Sequence, residues 1–391
     1  MFEQLKSCFR KTFGKEPEHI FSAPGRTELG GNHTDHQHGL VLAAAVNLRT
    51  TAAVSLNGSN VIRILSEGYP LCEINLNDLF VNTAELGTTS SLVRGVAASF
   101  AKRGCPMQGF DAYVKSDVLP GSGLSSSAAF ETLVGTVINT LFFESRLDAV
   151  EIAKIGQYAE NVYFGKPCGL MDQTASSVGG IIGIDFKDPA APVVTKINFD
   201  FAGSGYKLCI IDSGADHAGL THEYAAITEE LKTVCAVFGK EVLRDIPEDA
   251  FYSRITTVRS AAGDRAVLRA IHVYDDNKRV LRETQALQKG DFASFLKCVN
   301  ESGRSSWLYL QNVVPTGSSD RQEMAFALAM AQKLLGGAGA VRVHGGGFAG
   351  TLQAFVPESM APSFVASMDN ILGEGACHML TVSPVGGNMD E

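Results

Sequence analysis

No stretch of this 391-residue chain approaches the roughly 20 consecutive apolar residues that cross a bilayer. Met1 to Arg10 lack the apolar core and small-residue cleavage site of a secretory leader. Cysteines stand scattered at 8, 72, 105, 168, 209, 235, 298 and 377, with no Cys-x-x-Cys pair. That pattern gives neither a zinc knuckle nor a disulfide framework, and the expectation is a cytoplasmic protein with reduced, buried thiols. Positive charge is scarce, with 33 Lys and Arg against 42 Asp and Glu and a net charge of −9. The deficit speaks against nucleic acid or an anionic membrane as the main partner. ATP stays open, because phosphates that arrive with Mg²⁺ need local donors and not a basic surface. Internal repeats and low-complexity tracts are lacking, and no Gly-x-x-x-x-Gly-Lys-Ser/Thr loop supports a Walker-type ATPase. What remains is an ordinary globular composition, 45% hydrophobic and 19% charged, in a chain long enough for two lobes.

The densest chemistry lies in Leu119-Pro120-Gly121-Ser122-Gly123-Leu124-Ser125-Ser126-Ser127-Ala128-Ala129-Phe130-Glu131. Gly121 and Gly123 let the backbone turn tightly and bring N–H groups toward a ligand. From Ala128 onward, Ala129, Leu133, Val134, Val137, Ile138 and Leu141 recur at helical spacing, which puts Ser125, Ser126 and Ser127 in a first helical turn. Unpaired donors and a partial positive charge suit that end to an anion, phosphate above all. A helix cap alone would need one serine, and here there are three. The strand Phe110 to Val114 upstream supplies the strand, glycine loop and helix order of a phosphate cradle.

Phe21 to Gly39 reads as a polar, glycine-studded loop built to present side chains, ahead of the strand-like Val41 to Val46. His33, His36 and His38 with Asp35 invite a metal reading, but their spacing does not match His-Glu-x-x-His and no cysteine lies nearby. Clustered short donors and acceptors, with Arg26 as a permanent charge, suit adjacent sugar hydroxyls better; a polar surface turn is the plain alternative. A helix from Leu147 to about Phe164, ended by Gly165, carries Glu160 in its final turns, where the helix dipole disfavours a carboxylate. Glu160 is then either an exposed glutamate or a Mg²⁺ ligand. Asp172 follows in a loop before the small-residue strand Gly179 to Ile184, as a turn former or a candidate general base.

Elsewhere the periodicity predicts a helix over 2–13, antiparallel strands over 51–65 and 72–76 divided at Asn57-Gly58 and Gly68, and a helix over 90–102. Ala202-Gly203-Ser204-Gly205 is the expected boundary between lobes at 1–202 and 203–391. Beyond it come a strand at 207–211, helices near 223–238, 249–262, 264–288 and 319–335, then strands and a helix around 340–344, 351–356, 361–372 and 378–382. An α+β fold follows. His344-Gly345-Gly346-Gly347-Phe348-Ala349-Gly350 fits Gly-x-Gly-x-x-Gly formally, yet the strand-like Thr351 to Val356 follows it, so it reads as a connection between strands and not a dinucleotide fingerprint.

Four ordered segments resemble the signatures of the GHMP small-molecule kinases, and of galactokinases within them. They are Pro24-Gly25-Arg26 through His33-Thr34-Asp35, Gly121 to Ser127, Cys168-Gly169-Leu170-Met171-Asp172-Gln173, and Gly345 to Gly350. The resemblance implies an N-terminal mixed α/β lobe with the ATP loop, a ferredoxin-like C-terminal lobe, and an active site between them. It implies phosphorylation of the anomeric hydroxyl of galactose, with ATP as co-substrate and Mg²⁺ as cofactor. Position by position, Asp172 is similar to the base and Arg26 to its stabilising partner. Gly121, Ser122, Gly123, Leu124, Ser125, Ser126 and Ser127 are similar to ATP-lining positions, and Ser127 and Glu160 to Mg²⁺ ligands. Asn32, His33, Thr34, Asp35, Gly169 and Tyr224 match sugar-contacting positions.

Departures from that pattern are Asn32 for the usual Glu, His36 for Tyr, Glu28 for Asn, Gly30 for Ile, the Leu119-Pro120 order, and Ala349 for Gly. An amide at 32 still accepts a hydrogen bond but loses the charge that strengthens one, so a kinase for N-acetylgalactosamine or arabinose, or a non-catalytic sugar and ATP sensor, stands as the alternative.

Overall fold

A computed structural model describes residues 2–118, 121–216 and 219–391. Leu119 and Pro120, with their departure from the family order, lie outside the described residues. In chain order the elements are α1 (Phe2–Phe13), β1 (His19–Gly30), β2 (Leu40–Leu56), β3 (Val61–Ser66), β4 (Cys72–Asn75), α2 (Thr89–Lys102), β5 (Phe110–Ser116), α3 (Ser126–Phe142), α4 (Ala149–Tyr158) and α5 (Met171–Val178). There follow β6 (Ile181–Asp185), β7 (Val193–Ile197), β8 (Tyr206–Asp212), α6 (Thr221–Ala236), α7 (Glu248–Ser253), α8 (Ile255–Ala262), α9 (Asp264–Gln288) and α10 (Phe292–Ser305). The chain ends with α11 (Glu323–Leu335), β9 (Ala340–Val343), β10 (Thr351–Pro357), α12 (Ala361–Leu372), β11 (Cys377–Leu380) and β12 (Asn388–Met389). No helix among the described residues is long and apolar enough to cross a membrane.

Two sheets organise these elements. The eight-stranded one runs β12-β1-β2-β5-β3-β4, with β6 also on β2 and β7 on β6. Helices α2, α3 and α4 cover it, through a core that includes Val96, Phe100, Leu133, Val137 and Ile155. The four-stranded one runs β11-β8-β10-β9, antiparallel throughout. With α12 between β10 and β11, that order is the ferredoxin-like arrangement. Apolar residues of both sheets meet in one cluster, where Leu42 and Val46 of β2 lie with Leu208, Ile210, Phe295 and Phe355.

Three sequence expectations are corrected. Residues 19–30 are a buried strand and not a loop, because β1 lies between β12 and β2 and is covered on both faces. Register shifts at Pro24/Arg26 and Glu28/Gly30 absorb the proline and glycines that disguise it. The Asn57-Gly58 turn does not close a hairpin: β5 inserts between β2 and β3, pairing antiparallel with the first and parallel with the second. Residues 249–262 break into two helices at Arg254, and the helix α10, capped by Asp291, went unread in the sequence. Around Ala202–Ser204 the chain makes a single short 3₁₀ turn before β8, while the terminal strand β12 returns to β1 through Phe21 and Met389.

Charges are buried where the two sheets meet. Arg342 of β9 is fully buried and pairs with Glu28 of β1, while its Nη1 donates to the Leu29 carbonyl at 3.1 Å. Burial raises the Glu28 carboxyl above its ordinary value, against the pull of Arg342. Arg342→Met strands that carboxylate, and urea unfolding is expected to show a loss of about 3–5 kcal/mol, the usual cost of breaking a buried pair from one side. A loss under about 1 kcal/mol would instead mark the pair as replaceable.

Candidate active site

The serine-rich stretch folds as its pattern requires. Ser125 is the N-cap of α3 in a left-handed conformation (φ 57°), and Ser126 and Ser127 open the helix with free N–H donors beside them. The loop before it is held from two sides. Arg26 N donates to the Leu124 carbonyl at 2.9 Å and Arg26 Nη1 to the Gly123 carbonyl, while Thr351 Oγ1 donates to the Ser122 carbonyl at 3.1 Å. Gly123 has φ +71°, and a Cβ there would stand 2.9 Å from Thr351 Oγ1 and 3.0 Å from His344 Nδ1, so no other residue fits so close an approach. His344 accepts the Glu28 N–H at Nε2 (3.3 Å), leaving Nδ1–H to donate to Thr351 Oγ1 at 3.0 Å. Burial keeps this imidazole neutral by lowering its pKa well below the ordinary value.

Arg26 reaches Asp172 across the loop. Its Nε and Nη2 donate to the two carboxylate oxygens at 2.7 and 2.6 Å, a bidentate fork. Asp172 is not in a loop, as its sequence suggested; it sits in the first turn of α5, where the helix dipole favours a carboxylate. Burial opposes its charge, but the Arg26 guanidinium and hydrogen bonds from Arg26 and Ser125 outweigh it and hold the carboxyl below its ordinary value. The side chain keeps 30% of its surface exposed.

A second acidic group, Glu160, also meets the first turn of α3. After α4 the helix widens into a π-helical turn over Ala159–Phe164, ended by Gly165 at φ 84°, and this turn carries Glu160 inward until it is 3% exposed. Ser127 Oγ donates to Glu160 Oε1 at 3.3 Å, and Lys166 Nζ stands 3.5 Å from the same oxygen. Gln173 Nε2 donates to Glu160 Oε2 at 2.9 Å and to Glu131 Oε2 at 3.0 Å. Burial and the Glu160 charge hold Glu131 well above the ordinary carboxylate range. Ser127 and Glu160 thus come together as a pair of hard oxygen ligands. Beside Ser126 and Ser127 opens a cleft of about 410 Å³, lined by Thr50, Tyr69, Leu92, Val118, Phe130 and Phe164 among others.

Of the residues expected to face a sugar, the structure divides the group. Asn32 is fully buried and saturated: Nδ2 donates to Glu28 Oε1 (3.2 Å) and the Gly345 carbonyl (2.6 Å), and Oδ1 accepts from Asn312 Nδ2 at 2.9 Å. Thr34 is likewise buried, its hydroxyl spent on the Gly31 and Leu40 carbonyls at 2.8 and 2.6 Å. Neither presents a polar atom to the cleft. His33 donates from Nε2 to the Gly346 carbonyl at 2.9 Å, and burial lowers its pKa to about 4, which leaves Nδ1 a neutral acceptor. Asp35 adjoins Gly169 so closely that a Cβ at 169 would meet Asp35 Oδ2 at 2.7 Å. Tyr224 donates its hydroxyl to the Gly347 carbonyl at 2.9 Å, and burial raises its pKa. Among the described residues no three metal-binding side chains gather, at His33, His36 and His38 or elsewhere.

Sequence reasoning passed over Glu131, Gln173, Lys166, His344 and Asn312 as members of this region. Only Glu131 carried a local signal, since it stands four residues after Ser127 on the same helical face.

Comparison with known proteins fits this geometry. The galactokinase galactose-binding signature matches residues 7–56 and the GHMP kinase N-terminal domain residues 91–180. Galactokinase of Lactococcus lactis, solved in complex with galactose, superposes with a TM-score of 0.81 at 25% identity, covering 99% of each chain. Mevalonate kinase of Methanococcus jannaschii shares the fold at a TM-score of 0.66 and 16% identity, over 93% of this chain and 98% of that one. Phosphomevalonate kinase of Streptococcus pneumoniae does so at 0.63 and 11% identity, over 95% and 99%. The chain thus carries the galactokinase galactose-binding signature and the GHMP kinase N-terminal domain in order, and over its whole length it is similar to a galactokinase.

Proposed function

We propose that this protein transfers the γ-phosphoryl group of ATP to the anomeric hydroxyl of galactose, with Asp172 as the base. The observation that carries this reading is the bidentate Arg26–Asp172 pair at the edge of the serine-headed helix. ATP's phosphates lie along Gly121, Ser122, Gly123, Leu124, Ser125 and Ser126, where the start of α3 offers N–H donors and a positive dipole end. Its base fits the neighbouring cleft, whose walls are largely apolar.

Ser127 and Glu160 suit Mg²⁺, which takes one or two protein oxygens and fills the remaining positions with phosphate and water. Bound there, the ion supplies charge neutralisation on the phosphates. Lys166, already at Glu160, is an exposed positive charge at the same place. The sugar lies between Asp172 and the wall formed by His33, Asp35, Gly169 and Tyr224. His33 Nδ1 and the Asp35 carboxylate accept hydrogen bonds from its hydroxyls, while Asn32 and Thr34 hold the shape of the wall from behind. The anomeric oxygen attacks phosphorus in line, its proton passes to an Asp172 oxygen, and ADP leaves. Arg26 makes Asp172 a weak base, which is sufficient because phosphoryl transfer asks mainly for positioning and charge stabilisation. The lobe division near residue 203 and a cytoplasmic setting belong to the same reading, the latter supported by eight free cysteines.

Asp172→Ala is expected to retain galactose and ATP binding while turnover falls by about 10²–10⁴, the range of a positioned general base. Calorimetry and ADP release measure the two, and near wild-type turnover would overturn the assignment. Because Arg26 holds Asp172 below its ordinary value of 3.8, the base stays ionised through neutral and mildly acid solution. In Arg26→Leu burial, the largest influence, is opposed only by the Ser125 hydrogen bond and the Lys166 charge, so the value rises and any residual rate loses its acid limb at higher pH; carbon NMR of the labelled carboxyl reads this directly. ADP release over galactose, N-acetylgalactosamine and arabinose, with Mg²⁺ and with chelator, tests the substrate. Galactose is expected to lead and chelator to abolish release. A lead by another sugar would overturn galactose as the substrate, and no release with any sugar would favour the sensor.

A further inference from the structure

One buried acid in this region has no part in the chemistry described above. Glu131 is 1% exposed, and its Oε1 has no hydrogen-bond partner. A side chain kept there only to fill space would be apolar, since an unsatisfied buried carboxyl oxygen is costly. Its other oxygen is engaged, accepting from Gln173 Nε2 at 3.0 Å. The second hydrogen of that nitrogen goes to Glu160 Oε2 at 2.9 Å. Room for the arrangement comes from Gly156 of α4, where a Cβ would stand 3.0 Å from Glu131 Oε2 and 3.1 Å from Gln173 Cγ.

We propose that Glu131 is a positioning residue which, through Gln173, fixes the carboxylate of Glu160 so that only one of its oxygens faces Ser127. The inference rests on the reading of Ser127 and Glu160 as a metal-binding pair. Its physics is that of an amide with two nearly equal ends. Buried between Glu131 and Glu160, Gln173 presents its NH₂ group to both, because a rotated amide would set its carbonyl oxygen against the Glu160 carboxylate and leave Glu131 Oε2 without its donor. Glu131 enforces that choice from the side away from the cleft. Glu160 Oε2 is thereby tied inward, and Oε1 is left at 3.3 Å from Ser127 Oγ and 3.5 Å from Lys166 Nζ. Ser127 and Glu131, four residues apart on α3, address the two sides of the same carboxylate.

Mn²⁺ titration by electron paramagnetic resonance, with a non-hydrolysable ATP analogue present, tests the proposal in the full chain. Glu131→Leu is expected to weaken Mn²⁺ by about tenfold, as loss of an outer support typically does, while metal-free analogue and galactose bind within about twofold of wild type. Glu131→Gln keeps an acceptor for Gln173 and is expected to restore Mn²⁺ affinity. Should Glu131→Leu fail to fold, Gln173→Met cuts the same link and is expected to show the same selective loss. Unchanged Mn²⁺ affinity, an equal fall in metal-free analogue binding, or a Glu131→Gln variant no better than Glu131→Leu would each overturn the positioning role. A wild-type chain that binds no Mn²⁺ with the analogue would overturn the metal pair beneath it as well, which separates the two failures.

Discussion

The fork between Arg26 and Asp172 is the bond on which the rest of the site hangs. Arg26 belongs to a strand in the middle of a sheet, Asp172 to the first turn of a short helix, and the glycine loop lies between them. One residue therefore fixes two things: the ionisation of Asp172 and the path of the loop through the Gly123 and Leu124 carbonyls. Positioning of this kind is what a phosphoryl-transfer site needs most, because the chemistry requires little covalent help from the protein.

The opposite wall follows a different logic. Around the Gly345 to Gly350 connection, carbonyl oxygens accept from Asn32, His33, Asn312 and Tyr224. Polar side chains that would suit a ligand are spent on holding a glycine backbone in place. Half-buried His33 and buried His344 remain neutral there, so the wall presents dipoles more than charges. Charge is supplied instead by the Arg26–Asp172 and Lys166–Glu160 pairs.

Legibility in the sequence tracked how local each signal was. The serine-headed helix, the end of the following helix at Gly165 and the strand pair around the last glycine run were all readable, since caps, periodicity and turn residues act within a few positions. Strand β1 was not, because its Pro24, Gly25, Gly30 and polar side chains imitate a loop, and what satisfies them comes from residues such as Arg342 and His344 more than 300 positions away. Asp172 looked like a loop residue for want of any apolar repeat in so short a helix. Asn32 was legible as a departure but not as a buried one, for its partners Asn312 and Gly345 lie far along the chain. Glu131 and Gln173 meet only once three helices pack, a convergence no spacing rule contains.

The apolar cluster in which Leu42, Leu208, Phe295 and Phe355 meet bears on how substrates enter and leave. Two rigid bodies that swing apart must expose the surface between them, and here that surface is continuous core reinforced by the Glu28 and Arg342 charges. Wide separation would wet both. Parting the two sheets across this cluster is therefore the costly way to open the molecule.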